Sequence, residues 1–179
     1  LIANTIMEDS HSIVDPEMQQ HPLSDEWCLW AHLPHDTDWS LNSYKPIYNY
    51  TNVEEVLAVA EALPERLVKN CMLFIMRKGV TPLWEDPKNR SGGCFSYKVN
   101  NKIVDECWKK LTYALVGESL SKNDKLQLCI NGITISPKKN FCIIKIWLNS
   151  CNFQDASQID CSSGIDMHGC LFKKHSPEY

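Results

Sequence analysis

Trp27-Cys28-Leu29-Trp30-Ala31-His32-Leu33 places Trp27, Leu29, Ala31 and Leu33 on one face of an extended chain at period two, the pattern of a strand with one side turned to a core. Residues 47–50, 71–78, 94–99, 126–135 and 141–148 share strand composition and are separated by Gly, Pro and Asn punctuation, so at least six strands are expected.

Two stretches between them repeat at the helical period instead. The first opens with Thr51 or Asn52 as cap and Glu54 or Glu55 three residues later, then lines up Val53, Val56, Leu57, Ala60 and Leu63 on one stripe until Pro64 disrupts its last turn. The second follows Asn101, with Val104, Cys107, Trp108, Leu111 and Leu115 inward, Lys109 and Lys110 outward, and Gly117 as a C-terminal stop. Crossover helices are too few for a doubly wound sheet. The expected fold class is α+β, a single curved antiparallel sheet backed by amphipathic helices on its convex face, which leaves the concave face as a slot for a ligand.

The chain has 179 residues, 44% of them hydrophobic and 22% charged, enough for one domain with a sizeable core. Residues 1–20 carry acidic and amide side chains with little periodicity and read as a flexible tail, leaving residues 21–179 as the domain. A formal net charge of -4 argues against coating long stretches of nucleic acid, which draws on many Lys and Arg contacts to phosphate, so an RNA partner would be held at one small site and DNA is not expected. The nine cysteines are odd in number and sit inside strand-like and helix-like patterns, which favours reduced, mostly buried thiols over a disulfide framework. Cys151, Cys161, His168 and Cys170 lack the paired short spacing of a zinc site, so no metal and no cofactor are expected. Neither a secretory leader nor an apolar run of ~20 residues is evident, which points to the cytoplasm, with the nucleus as a second location, and to no membrane partner. The glycosylation sequons at Asn49 and Asn89 are discounted as short matches.

The six tryptophans fall in different settings. Trp27, Trp30 and Trp108 lie inside periodic elements, but Trp39 sits in His35-Asp36-Thr37-Asp38-Trp39-Ser40 and Trp84 in Thr81-Pro82-Leu83-Trp84-Glu85-Asp86-Pro87, both polar turn-rich loops. A large indole in such a loop either caps the end of the core or meets a planar ligand. Two of them, one beside a carboxylate, shift the balance to a ligand.

Together these motifs resemble the eukaryotic translation initiation factor 4E family. The resemblance runs from His21-Pro22-Leu23 through Trp27-Cys28-Leu29-Trp30, Trp39, Pro82-Leu83-Trp84-Glu85-Asp86, Gly92-Gly93 and Gly117-Glu118-Ser119 to Trp147, across residues 21–150. It implies binding of the N7-methylguanosine cap at the 5′ end of mRNA, with the base between Trp39 and Trp84, Glu85 accepting from guanine N1–H and the exocyclic amine, and Trp147 near the methyl group. The physics suits such a ligand: the methylated base is cationic, and electron-rich indole faces hold it by stacking, worth about 1–3 kcal/mol per base, plus cation–π attraction of ~2 kcal/mol when desolvated.

Phosphate contacts are where the chain departs from the family, with Cys94 in place of a usual Arg and Ile143 in place of a usual Lys. Lys138 and Lys139 are expected to hold the triphosphate instead, with Lys145 sharing strand parity with Trp147. The resemblance also implies a dorsal surface for a short helical motif of a scaffold protein or repressor. His21, Pro22, Val53 and Gly117 match it, whereas Leu57 replaces a tryptophan and Lys109, Lys110 and Tyr113 fall where apolar or acidic residues are usual, so a divergent partner is expected. The C-terminal end reads as shortened and divergent, with a short helix over 152–159 and a last strand over 170–174.

The implied role is recruitment of capped mRNA for translation initiation through a scaffold partner. The alternative is a regulatory paralogue with weak cap affinity that acts as a repressor or interaction module, a reading favoured by the loss of basic residues at Cys94 and Ile143. An enzyme is not expected, since no nucleophile motif or Gly-rich phosphate loop is present.

Overall fold

The computed structural model describes residues 20–178, so the expected flexible tail lies outside the described residues except for Gln20. Seven strands, β1 (Pro22–His32), β2 (Tyr44–Asn52), β3 (Met72–Arg77), β4 (Gly93–Asn100), β5 (Ile130–Pro137), β6 (Phe141–Leu148) and β7 (Leu171–Lys174), form one sheet. Its order is β2-β1-β3-β5-β6-β4-β7, and every neighbouring pair is antiparallel.

Helices α1 (Val53–Ala62), α2 (Glu65–Asn70), α3 (Val104–Val116) and α4 (Asp124–Gln127) accompany this sheet. The main core joins the inward side chains of the strands, among them Trp27, Leu29, Ile75, Phe95, Ile133 and Ile146, to Val56, Val68, Trp108, Leu111 and Leu115 from the helices. A smaller cluster of Tyr44, Phe74, Met76, Val80 and Trp147 fills the other face, with Trp30, Met72, Leu83 and Trp84 packed against it. The middle strand, β5, is buried along nearly its whole length: Ile133 and Ile135 lie in the main core, while Thr134 and Ser136 turn to the opposite face.

The start of α1 follows from its first residues: Glu55 N–H donates to Asn52 Oδ1 at 2.9 Å and Asn52 N–H returns to Glu55 Oε2 at 3.3 Å, a reciprocal capping box. Pro64, expected only to end a helix, also begins one; its fixed φ of -65° suits the cap of α2. At the end of α3, Gly117 is the C-cap but is not left-handed (φ -80°). Glu118 takes that conformation, with φ 52°, and Ser119 N–H closes back on Ala114 O at 2.9 Å.

Three further expectations are corrected. Leu33 faces solvent at 53% exposure, because β1 ends at His32 and the chain turns away. Residues 126–135 do not form one strand: Asn123 Oδ1 accepts from Lys125 and Leu126 N–H and starts α4, so β5 begins only at Ile130. The helix expected over 152–159 shrinks to a single 3-10 turn, Ala156–Gln158, capped by Asp155, after which Ile159 bridges Ser121 in extended form. All nine cysteines are free, five buried and four partly so. Among the described residues, no helix is long and apolar enough to cross a membrane.

Candidate functional site

The loop from β1 to β2 carries Trp39 and is built from local carboxylate turns. Asp36 Oδ1 accepts Asp38 N–H at 2.9 Å, and Asp38 accepts both Ser40 N–H at 2.8 Å and the Ser40 hydroxyl at 2.9 Å. Those Ser40 bonds hold the Asp38 carboxyl below its ordinary range. Trp39 is left 56% exposed.

The loop from β3 to β4 carries Trp84 and is stapled more tightly. Asp86 Oδ2 accepts Thr81 N–H and the Thr81 hydroxyl, both at 2.7 Å, while Asn89 Nδ2 donates to Thr81 O at 2.9 Å and Leu83 O at 2.8 Å. Asn131 of β5 reaches up to Asn89 Oδ1 at 2.8 Å, locking the loop to the sheet. Asn89, one of the two discounted sequon residues, is fully buried in this role.

These loops enclose one end of the concave face in a cavity of about 550 Å³. Trp39, Trp84, Glu85, Trp147 and Lys145 all line it, together with Tyr44, Phe74, Thr134, Ser136, Ser176 and Glu178. Trp147 is almost wholly buried at 4% exposure and packs edge-on to Phe74, which makes it part of the floor. The Lys145 ammonium lies 5.8 Å from the centre of the Trp84 ring and that of Lys173, from β7, 5.5 Å.

Lys138 and Lys139 are exposed at the turn between β5 and β6 and do not line this cavity, whereas Lys145 does. Lys173 escaped the sequence reading because β7 lies beyond the matched motifs. Cys94 is buried opposite Trp147 in the β4–β6 ladder; burial pushes its thiol up, while Lys145 and Lys173 oppose that shift. The cavity also borrows from the end of the chain: Glu178 N–H donates to Glu85 Oε1 at 3.1 Å, and His175 stacks on Trp84.

The expected partner residues lie around α1 and α3. Val53 N–H donates to His21 O at 2.9 Å, and Glu54 accepts the His21 ring at 2.6 Å and its backbone N–H at 3.1 Å, which fastens His21 and Pro22 to the start of α1. Val53 and Leu57 are exposed at 38% and 46%, leaving apolar surface uncovered at helical spacing. Lys109, expected simply to face outward, reaches Glu61 at 3.3 Å, and Tyr113 OH donates to the same carboxylate at 3.4 Å. Lys110 pairs within its own helix with Glu106 at 3.4 Å, and Gly117 ends α3.

The family model for eukaryotic initiation factor 4E matches residues 22–164. The chain belongs to that family. Among initiation factor 4E proteins it is 29% identical to that of Candida glabrata over 147 residues, covering 78% of this chain and 68% of the relative. The Eremothecium gossypii factor is 32% identical, with 73% of this chain and 64% of the relative covered, so the chain spans about two thirds of the length of these factors. In fold, C. elegans initiation factor 4E-3, solved with the 4E-binding protein Mextli and a cap analog, superposes with a TM-score of 0.76 over 90% of this chain and 99% of that one, at 19% identity. The schistosome factor 4E, solved with m7GpppG and a 4E-binding protein, gives 0.67 over 74% of each chain at 25% identity.

Proposed function

We propose that the cavity binds the N7-methylguanosine cap of mRNA, and that the chain acts in translation as a cap-binding factor rather than as an enzyme. The observation that carries this reading is the convergence of Trp39, Trp84 and Glu85 on one cavity with Trp147 as its floor. Two indoles sandwich the cationic base, and the Glu85 carboxylate accepts from the two guanine donors that adenine does not present together.

Lys145 and Lys173, whose ammoniums lie 5.8 and 5.5 Å from the Trp84 ring centre, take the phosphates, a role for which Coulomb attraction needs less exact placement than base recognition. The relatives solved with cap ligands and 4E-binding proteins support both halves of the reading, a cap ligand and a protein partner. That partner docks on the stripe of Val53, Leu57 and Glu61 beside His21 and Pro22, with Lys109 and Lys110 favouring an acidic residue on it. A soluble role in the cytoplasm is the matching location.

Quenching of intrinsic tryptophan fluorescence by methylated and unmethylated guanosine triphosphate tests the proposal. Saturable quenching by the methylated form, lost in Trp39→Ala and Trp84→Ala, is expected. A wild-type chain that responds equally to both nucleotides, or to neither, would overturn it.

A further inference from the structure

We propose that His32 and His175 are positioning residues of the base clamp: each stacks on the face of one clamp tryptophan that is turned from the cavity, and each pins the loop that carries it. The inference rests on the reading of the cavity as a base slot.

The two arrangements match feature for feature. His32 is buried at the end of β1, its ring centre 4.3 Å from that of Trp39 and only 4° from coplanar. Its Nε2–H donates to Asp38 O at 2.8 Å, the residue just before Trp39, and its edge rests on Tyr44. His175 is buried just past β7, 5.5 Å from Trp84 and 17° from coplanar, and 5.0 Å from Trp147. Its Nδ1–H donates to Asn89 O at 2.7 Å, in the loop of Trp84, and its own backbone N–H donates to Gly92 O at 2.9 Å. Neither histidine lines the cavity, although both of their tryptophans do.

A loop indole with one bare face and no backing would explore several rotamers, and a ligand would have to order it on arrival. An imidazole behind the ring removes that freedom in advance, and its N–H fixes the backbone of the loop at the same time, which a phenylalanine could not do. Neutrality matters as well. With Nδ1 donating, the Nε2 of His175 is buried without a hydrogen-bond partner, and burial holds its pKa down; the Asn89 carbonyl and Glu85 oppose that shift and Lys145 adds to it. Glu85 from the loop, Lys145 from β6 and Lys173 from β7 are the charged groups around this stack. A proton on His175 would place a cation directly behind the indole that receives a cationic base.

The test uses the full chain carrying 5-fluorotryptophan and the variants His32→Ala, His32→Phe, His175→Ala and His175→Phe, each titrated with N7-methylguanosine triphosphate. Loss of one stacked ring is expected to weaken binding about three- to ten-fold in the alanine variants. The phenylalanine variants should recover the part of that loss owed to stacking but not the part owed to the ring N–H bond to the loop. Without ligand, His32→Ala should move the fluorine resonance of Trp39 and His175→Ala that of Trp84, each assigned from its Trp→Phe variant. As pH falls below the ordinary imidazole value of 6.5, wild-type affinity should fall and that of His175→Phe should fall less. Alanine variants with wild-type affinity and unmoved resonances overturn the inference, as do folded phenylalanine variants that bind no better than alanine. A wild-type chain blind to the nucleotide overturns the base-slot reading alone, because the resonances report the backing of the indoles without ligand.

Discussion

Arg77 and Glu118 meet in a two-point ion pair, Nη1 to Oε1 at 2.6 Å and Nη2 to Oε2 at 3.1 Å, which ties β3 to the turn after α3. The guanidinium also reaches Asp25 at 2.7 Å and Ile130 O at 3.0 Å and lies 4.3 Å over the Trp27 ring. Glu118 holds this pair from a left-handed backbone, with φ 52°. Glu118→Ala keeps the strain and removes one of the two carboxylates that hold Arg77, leaving Asp25 and the Ile130 carbonyl, so a loss of about 1–2 kcal/mol in urea unfolding is expected for this partly exposed pair. Glu118→Gly should recover about 1 kcal/mol of that by relieving the backbone. A glycine variant less stable than the alanine variant would contradict the argument.

Glu85 is the source of base discrimination in the proposed slot. Glu85→Gln removes the charge and turns an amide donor toward guanine donors, so affinity for N7-methylguanosine triphosphate should drop by about one to two orders of magnitude. The preference over N7-methylinosine triphosphate, which lacks the exocyclic amine, should shrink with it. Calorimetry that found the same preference in both proteins would remove Glu85 from this role.

Glu178 N–H occupies one oxygen of that same carboxylate. Glu178→Pro deletes the donor while leaving Glu85 intact, and a cap nucleotide no longer has to compete for the oxygen. A two- to ten-fold tightening, about the worth of one hydrogen bond to a charged group in a half-open site, is expected in the same titration. Unchanged or weaker binding would show that the contact does not hinder the base.

Strand β4 was legible from the alternation of Phe95, Tyr97 and Val99 with Ser96 and Lys98, β3 and β6 from short, nearly continuous apolar runs, and α1 because its cap and its stripe agree. Trp39, Trp84, Glu85 and Trp147 could be assembled from loop position and family resemblance, and the fold does bring them to one cavity. The second helix of the α1–α2 pair was missed because Pro64 signals a start as well as a stop, and sequence alone does not say which. The lysines were harder to place, and of the three expected only Lys145 lines the cavity. Charge carries no periodicity, so Lys138 and Lys139 looked as suitable as Lys145, whose strand parity was the better guide. That same parity places His32 beside Trp30, one residue removed from the core-facing Ala31, and could have pointed to it. Nothing local marks His175, which reaches Trp84 only through the pairing of β7 with β4.

At the partner face, the His21 ring bond and backbone N–H draw the Glu54 carboxyl down to about 2. A carboxyl depressed on folding contributes above its ordinary value of 4.5, and the contribution is lost as pH falls toward about 2. An NMR titration of the Glu54 side chain should find its midpoint well below 4.5, returning toward 4.5 in His21→Ala. Glu54→Gln should loosen the His21-Pro22 arm and weaken docking of a helical partner peptide, and an ordinary midpoint for Glu54 would remove the basis for both expectations.

Strand β6 works as a two-sided ruler: Cys142, Ile144, Ile146 and Leu148 serve the helices, while Lys145 and Trp147 serve the cavity. Substitutions on one side can therefore accumulate without reference to the other. Insertion or deletion of a single residue has no such freedom, because it would exchange every odd position for an even one, sending an ammonium into the oil and isoleucines into the slot. The length of this segment is thus a stricter requirement than the identity of most of its residues, and the turns on either side are where a change in chain length costs least.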